Sequence, residues 1–205
     1  MNVLNHKPAR LTSLGFDPKL YPEGVHMCFI FDDEDDRRRV LAEYVRSGLA
    51  CGEQVAYFVD TMSPAELKHN LCELGVAIPE GEADRECLIV TAEAAYCPDG
   101  TFRAERMLAS LEQAYLRSCD YGYAGLRVSG EMNWALRKLP DREVLIDYES
   151  RVNRVLRKVP VTAICQYDAR LFDGETLYRL LRVHPLMIVR GMVVQNPYYS
   201  EAREH

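Results

Sequence analysis

Residues 25–39 read Val-His-Met-Cys-Phe-Ile-Phe-Asp-Asp-Glu-Asp-Asp-Arg-Arg-Arg, and this passage decides the fold. Its first seven residues are a short apolar run, the pattern of a strand covered on both faces. Beyond the acidic turn come Val40, Leu41, Tyr44, Val45 and Gly48, an apolar stripe at helical spacing. A covered strand handing over to a one-sided helix is the start of a βαβ unit.

The unit recurs down the chain. QVAYFVD (54–60), CLIVT (87–91), AGLRVS (124–129) and VTAICQY (161–167) are further short apolar runs. Helical stripes separate them. Ser63, Pro64 and Glu66 open one helix as cap, first-turn proline and capping-box partner; Leu67, Leu71 and Leu74 form its buried face and Gly75 stops it. After the turn signal Pro98-Asp99-Gly100, a second stripe carries Met107, Leu108, Leu111, Tyr115 and Leu116. Asp141 caps a third, with Leu145, Tyr148, Val152, Val155 and Leu156, and a short helix follows near Glu175 to Leu181. Residues 186–196 place two apolar runs around Arg190-Gly191, a closing hairpin. The expectation is a three-layer α/β/α domain over residues 25–199, with a mainly parallel sheet and a C-terminal β-hairpin. Residues 1–24, with three prolines and no sustained period, read as an N-terminal arm or lead-in loop, and residues 200–205 as a tail.

Composition narrows the function. The 205 residues carry a net charge of −6, which gives direct nucleic-acid binding no electrostatic support. No apolar run approaches the roughly 18 residues of a membrane span, and residues 1–24 lack an apolar signal core. A cytoplasmic protein without a membrane partner is expected. Seven cysteines, an odd number with no Cys-x-x-Cys pair, fit a reducing compartment rather than a disulfide framework.

Ligands of open parallel sheets bind beyond the carboxyl ends of the strands. After the first strand a phosphate loop would need glycines, a lysine and a Ser/Thr whose amides and ammonium cradle anions. Asp32, Asp33, Glu34, Asp35 and Asp36 stand there instead. Acids complement a helix N-terminus and repel a triphosphate; a capped helix is the reading, with a divalent-cation site as the lesser one. After the fourth strand comes Arg127-Val128-Ser129-Gly130-Glu131-Met132-Asn133-Trp134, which gathers an arginine, a glutamate and the single tryptophan. Either Arg127 pairs with Glu131 in a buried network that fixes the corner, or Arg127 holds an anionic group of a guest and Trp134 walls its pocket. The fifth strand ends in Cys165-Gln166-Tyr167-Asp168, with Cys165 and Tyr167 on one face. His26 and Cys28 likewise share a face. With His184, these His and Cys residues have the donor types of a zinc or haem-iron site; their non-local spacing matches no metal finger, and small core roles also account for the cysteines. Ser129-Gly130 is not a nucleophile elbow, because Arg127 stands where a glycine is needed.

The strings HMCFIF, CPDGTF, LRVSGEMNWAL, YESRVN, ICQYDARLF, RVHP and QNPYY, in this order over about residues 15–199, resemble the MEDS family, the methanogen/methylotroph, DcmR-type sensory domain. Gly130, Glu149, Pro185, Asn196 and Tyr198 match its motifs, as do His26, Cys28, Arg127, Glu131, Trp134, Cys165, Tyr167, Asp168 and His184. The resemblance implies a RecA/KaiC-like core that lacks the nucleotide loop. It also implies a non-enzymatic sensory domain without a cofactor, which binds a small organic ligand such as a hydrocarbon derivative. The expected ligand-binding set is His26, Cys28, Arg127, Glu131, Trp134, Cys165, Tyr167, Asp168 and His184. Because no helix-turn-helix fits after the last parallel strand, output is expected through a partner protein (a kinase, an anti-sigma factor or a transcription regulator) or a homo-oligomer. The alternatives are a metal- or haem-dependent redox sensor built on the His and Cys residues, a residual nucleotide-binding ATPase, and an assembly partner using the Asn196-Pro197-Tyr198-Tyr199 tail.

Overall fold

The structure, a computed structural model, describes residues 10–79 and 85–200. A two-stranded antiparallel pair, β1 (Leu11–Ser13) and β2 (Leu20–Pro22), precedes the main body. There β3 (His26–Phe31) leads to α1 (Glu34–Ala50), β4 (Gln54–Val59), α2 (Pro64–Glu73) and β5 (Cys87–Thr91). Two helices, α3 (Ala92–Tyr96) and α4 (Ala104–Asp120), lead to β6 (Leu126–Glu131). The chain continues through α5 (Ala135–Lys138), α6 (Arg142–Lys158), β7 (Thr162–Asp168) and α7 (Gly174–Val183) to the hairpin β8 (Leu186–Val189) and β9 (Met192–Gln195).

The main sheet runs β5-β4-β6-β7-β3-β8-β9, parallel except for β9. This order sets the layers. Parallel crossovers are right-handed, so steps toward β5 lay their helices on one face and steps toward β8 lay theirs on the other. Val40, Leu41, Tyr44 and Val45 of α1 and Leu67 and Leu71 of α2 accordingly fill one core. The second core takes Met107, Leu108 and Leu111 of α4, Leu145, Tyr148 and Val152 of α6, and Leu180 of α7. Every residue of β6 and β7 is buried, as expected of central parallel strands covered on both faces.

The five expected strands are β3 to β7, and the expected hairpin turns at Arg190 and Gly191, both with positive φ (50° and 68°). That is the primed-turn geometry that suits a two-residue hairpin. All seven cysteines are free thiols; Cys28, Cys87, Cys97 and Cys165 are buried, while Cys72 and Cys119 are exposed.

Residues 1–24 were expected as an N-terminal arm or lead-in loop; over residues 10–24 the structure has the strands β1 and β2 instead. The β1–β2 pair is tied into the body: Leu14 is fully buried, the Asp17 carboxylate accepts from Val193 N at 2.8 Å, and Ser47 Oγ donates to Ser13 O at 2.8 Å. Gly15 (φ 83°) lets the connection pass, since a Cβ there would lie 2.2 Å from Glu43 O. Polar ties of this kind leave no hydrophobic period to read. Residues 1–9 and 201–205 lie outside the described residues.

Candidate functional site

Alternation along β6 sends Arg127, Ser129 and Glu131 toward α1, and Val128 and Gly130 toward the α4–α6 layer. Arg127 is fully buried and its guanidinium is used up inside the protein. Nε donates to Glu53 (2.5 Å), Nη1 to Tyr44 O (2.8 Å), and Nη2 to Thr12 Oγ1 (3.1 Å) and Ser13 O (2.9 Å). Its Cζ also sits 4.7 Å from the centre of the Tyr44 ring. Gly48 makes the room, because a Cβ there would meet Arg127 Cδ at 2.8 Å. Arg127 therefore holds neither Glu131 nor a guest; it clamps the β1–β2 pair to the sheet.

Glu131 serves a different network, at the carboxyl end of β6. One carboxylate oxygen accepts from Arg37 Nη1 (2.9 Å) and Tyr57 OH (3.3 Å), and the other from the Asp60 and Thr61 amides at 2.8 Å each. Arg37 also donates to Gln166 Oε1 (3.0 Å) and to Glu34. Burial and the facing Glu131 carboxylate push the Tyr57 hydroxyl up, so it stays a neutral donor. At the start of α1 the Asp33 side chain accepts from the Asp35 and Asp36 amides (2.8 and 3.1 Å). The N–H groups with which a phosphate loop would grip an anion are thus capped from within, and Arg37 faces carboxylates. Asp168 is engaged by Arg170 through Nε (2.8 Å) and Nη2 (2.7 Å), contacts that lower its pKa.

Trp134 is fully buried and belongs to an aromatic core. It stacks on Tyr96 with centroids 4.5 Å apart and lies 5.0 Å from Phe102. It lines neither the cleft beside Cys28 nor the one beside Asp60. Its expected place as a pocket wall is corrected: β6 ends at Glu131, and Met132, Asn133 and Trp134 are all buried, the indole against Tyr96 and Phe102.

Four of the expected residues meet on the α6–α7 side of the sheet. His26, Cys165, Tyr167 and His184 gather around Glu149 of α6, with Cys28 opposite Cys165 on the neighbouring strand. Glu149 Oε1 accepts from Tyr167 OH at 2.8 Å. Its Oε2 faces His26 Nε2 (3.4 Å), Cys165 Sγ (3.4 Å) and His184 Nε2 (3.5 Å). The far ring nitrogens are pinned: His26 Nδ1 lies 3.0 Å from Asn153 Oδ1, and His184 Nδ1 lies 2.7 Å from Leu180 O. Burial, then the facing His184, lowers the His26 pKa, and burial holds the Cys28 and Cys165 thiols well up. Burial alone would raise the Glu149 pKa, and N–H donation from the His184 and His26 rings in their protonated form lowers it instead. Glu149 and Asn153 were not among the expected ligand contacts. The signal for them was a glutamate and an asparagine four apart, on the helical face that also carries Leu145, Tyr148 and Val152.

Beside this cluster, β3 and β8 pair only at Met27 and Cys28, then part. The gap is a cleft of about 220 Å³ at the carboxyl end of β3. Cys28, Ile30, Leu181, Met187 and Ile188 supply apolar walls, and Asp32, Asp33, Asp36 and Arg190 its polar lining.

Comparison with known proteins gives this geometry a context. The MEthanogen/methylotroph, DcmR Sensory domain family (MEDS) matches residues 25–185. The transcriptional repressor DcmR of Methylorubrum extorquens (strain DSM 6343 / CIP 106787 / DM4) is 28% identical over 160 residues, 78% of this chain. The match spans only 57% of that protein's length. Among solved structures, a KaiC-like protein of Pyrococcus horikoshii OT3 superposes with a TM-score of 0.63 at 14% identity, over 88% of this chain and 80% of its own. The flagellar accessory protein FlaH of Methanocaldococcus jannaschii gives 0.61 at 10% identity, over 88% and 79%. At such identities the likeness is one of fold, and it bears out the expected RecA/KaiC-like architecture. No helix among the described residues is long and apolar enough to cross a membrane.

Proposed function

This chain belongs to the MEDS family of sensory domains, and from that premise we propose that it is a non-enzymatic sensor of a small organic molecule, received in the cleft between β3 and β8. The carrying observation is the contrast between two neighbouring places at the carboxyl end of β3. The helix N-terminus that would grip phosphate is capped by Asp33, while the cleft next to it is walled by Cys28, Ile30, Leu181, Met187 and Ile188. An apolar hollow with a few polar groups suits a small guest. Its volume of about 220 Å³ is that of some seven waters, at about 30 Å³ each. Three aspartates in its lining favour neutral or cationic compounds over anions.

The signal passes to a regulatory partner protein in this reading, which the sequence likeness to a transcriptional repressor supports. The hairpin β8–β9 is the natural relay, because β8 forms one wall of the cleft while Met192 stands exposed on the neighbouring strand. Thermal-shift and calorimetric titration with short alcohols, haloalkanes and amines, with ATP as the comparison, tests the reading. A saturable shift with one of the organics, lost when Met187→Trp fills the cleft, is expected. A shift with ATP alone, or with none of them, would sink it.

A further inference from the structure

We propose that His26, Glu149, Cys165 and His184 hold a single divalent transition-metal ion of the zinc class in a closed, four-coordinate site. The four come from four separate elements: β3, α6, β7 and the residue that ends α7. All four are buried, and one ligand atom from each lies within 4.8 Å of the others.

The hydrogen positions make the case. Asn153 Nδ2 donates to Val183 O at 2.7 Å, which fixes the amide so that Oδ1 faces His26. An amide oxygen only accepts, so His26 Nδ1 carries a proton, and in the neutral ring Nε2 presents a lone pair. Leu180 O imposes the same tautomer on His184, whose Nε2 has no hydrogen-bond partner among the described residues. Both lone pairs face Glu149 Oε2, another acceptor, and Cys165 Sγ joins them. With both rings neutral, three acceptors meet with only the Cys165 thiol proton, donated toward Glu149 Oε2, between them; a divalent cation that displaces this proton relieves the repulsion. An outer shell that fixes the imidazole tautomer is the usual support of a histidine ligand. His184 is also held by Pro185, which restricts the preceding backbone, and by Asn196 Nδ2, which donates to His184 O at 2.8 Å.

Distances and charge agree. Around an ion about 2.0–2.3 Å from nitrogen, oxygen and sulfur donors, the edges of a regular tetrahedron are about 3.3–3.8 Å. Four of the six edges are 3.3 Å (His26 to Cys165), 3.4 Å (His26 to Glu149), 3.4 Å (Cys165 to Glu149) and 3.5 Å (His184 to Glu149), and the two from His184 to His26 and Cys165 lie within 4.8 Å. A thiolate and a carboxylate with two neutral imidazoles carry two negative charges, which a divalent ion cancels. Binding releases the Cys165 thiol proton to solvent. Mixed nitrogen, sulfur and oxygen donors select this class over magnesium or calcium. With no protein ligand to spare, the site is closed and suits a structural or sensing ion.

The proposal stands apart from the cleft reading: a protein that holds the ion but answers to no organic compound keeps this one and loses the other. The test uses the full chain purified without chelator. Elemental analysis is expected to find about one zinc-class ion per chain. After stripping, titration with cobalt(II) is expected to give a saturable sulfur-to-cobalt charge-transfer band. Cys165→Ser should lose that band, and His184→Gln should weaken binding at least tenfold, with circular dichroism checking that each variant is folded. Folded wild-type protein that arrives metal-free and takes up no cobalt(II) overturns the proposal, without relying on any variant. So does cobalt(II) bound with no charge-transfer band, which would place the ion elsewhere.

Discussion

Arg127 and Glu131 lie four residues apart on one face of β6 and share no partner: Arg127 is bound by Glu53, Thr12, Ser13 and Tyr44, and Glu131 by Arg37, Tyr57 and two backbone amides. At about 3.3 Å per strand residue they stand about 13 Å apart. One secures the amino-terminal strands, the other the carboxyl end of the sheet.

Arg127→Met takes from the buried Glu53 carboxylate its fully buried partner and leaves it only the half-buried Arg10 and the Thr12 hydroxyl, so the loss should fall below the about 3–5 kcal/mol of a wholly uncompensated buried charge. Urea unfolding should show that loss, and much of it should return in the Arg127→Met/Glu53→Gln double variant, which removes both charges. Arg127→Met and Glu131→Gln should instead add within about 0.5 kcal/mol. Strong coupling between those two would contradict the separation of the networks.

Gly130 is the second constraint on β6. A Cβ there would lie 2.3 Å from the Tyr96 hydroxyl, whose ring stacks on Trp134. Gly130→Ala should cost about 1–3 kcal/mol by overpacking. Tyr96→Phe removes the clashing oxygen and leaves the nearest ring carbon at 3.4 Å. The double variant should therefore be more stable than Gly130→Ala alone, as read by denaturant midpoints at constant slope. Equal midpoints would mean that the glycine serves some other purpose.

Acid should loosen the amino-terminal pair at Asp17. Burial alone would raise its pKa. The Lys19 and Val193 amides and the Tyr21 hydroxyl, at 2.8–2.9 Å, bring it below the ordinary 3.8. For a depressed carboxyl the stabilisation is fully present above the ordinary value and is lost as pH falls through the lower, folded value. Wild type should accordingly lose stability below about pH 4 more steeply than Asp17→Asn, which is less stable at neutral pH. Parallel acid limbs in pH-dependent unfolding would rule out this role. Tyr21, pushed up to about 12 by burial and by Asp17, keeps its proton throughout this range.

Five of the six parallel strands, β3 to β7, were legible because each is a short apolar run and each longer intervening helix carries a stripe; periodicity reports burial, and burial is what a covered strand has. Arg127 was legible as unusual but not in its role, since Glu53 lies 74 residues away in sequence and no local pattern carries that pairing. The β1–β2 pair was missed for the same reason: strands of three residues, held by Asp17 and Arg127, leave no period. Trp134 misled because a tryptophan after a strand end reads as a pocket wall, whereas Tyr96 and Phe102 were free to enclose it. His26, Cys165, Tyr167 and His184 were expected ligand contacts from sequence, but Glu149, which joins them, was named only as a motif position. A charged residue in a helix reads by default as solvent-facing, although its spacing from Leu145, Tyr148 and Val152 puts it on the buried side.

Asn153 tests the buried cluster without touching its ligand atoms. Its amide oxygen faces His26 Nδ1 at 3.0 Å, and its nitrogen donates to Val183 O at 2.7 Å. Asn153→Ala frees the His26 ring to rotate or change tautomer, so that Nε2 no longer presents a lone pair to Glu149 and Cys165. Removing such a support costs about 10–100-fold in metal affinity. Cobalt(II) titration should show that weakening with the sulfur-to-cobalt band unchanged at saturation, because Cys165 is intact. Asn153→Asp, whose carboxylate still accepts from Nδ1, should retain more of the affinity than alanine does. If both variants bind as tightly as wild type, His26 does not depend on Asn153, and the tautomer argument for the site fails.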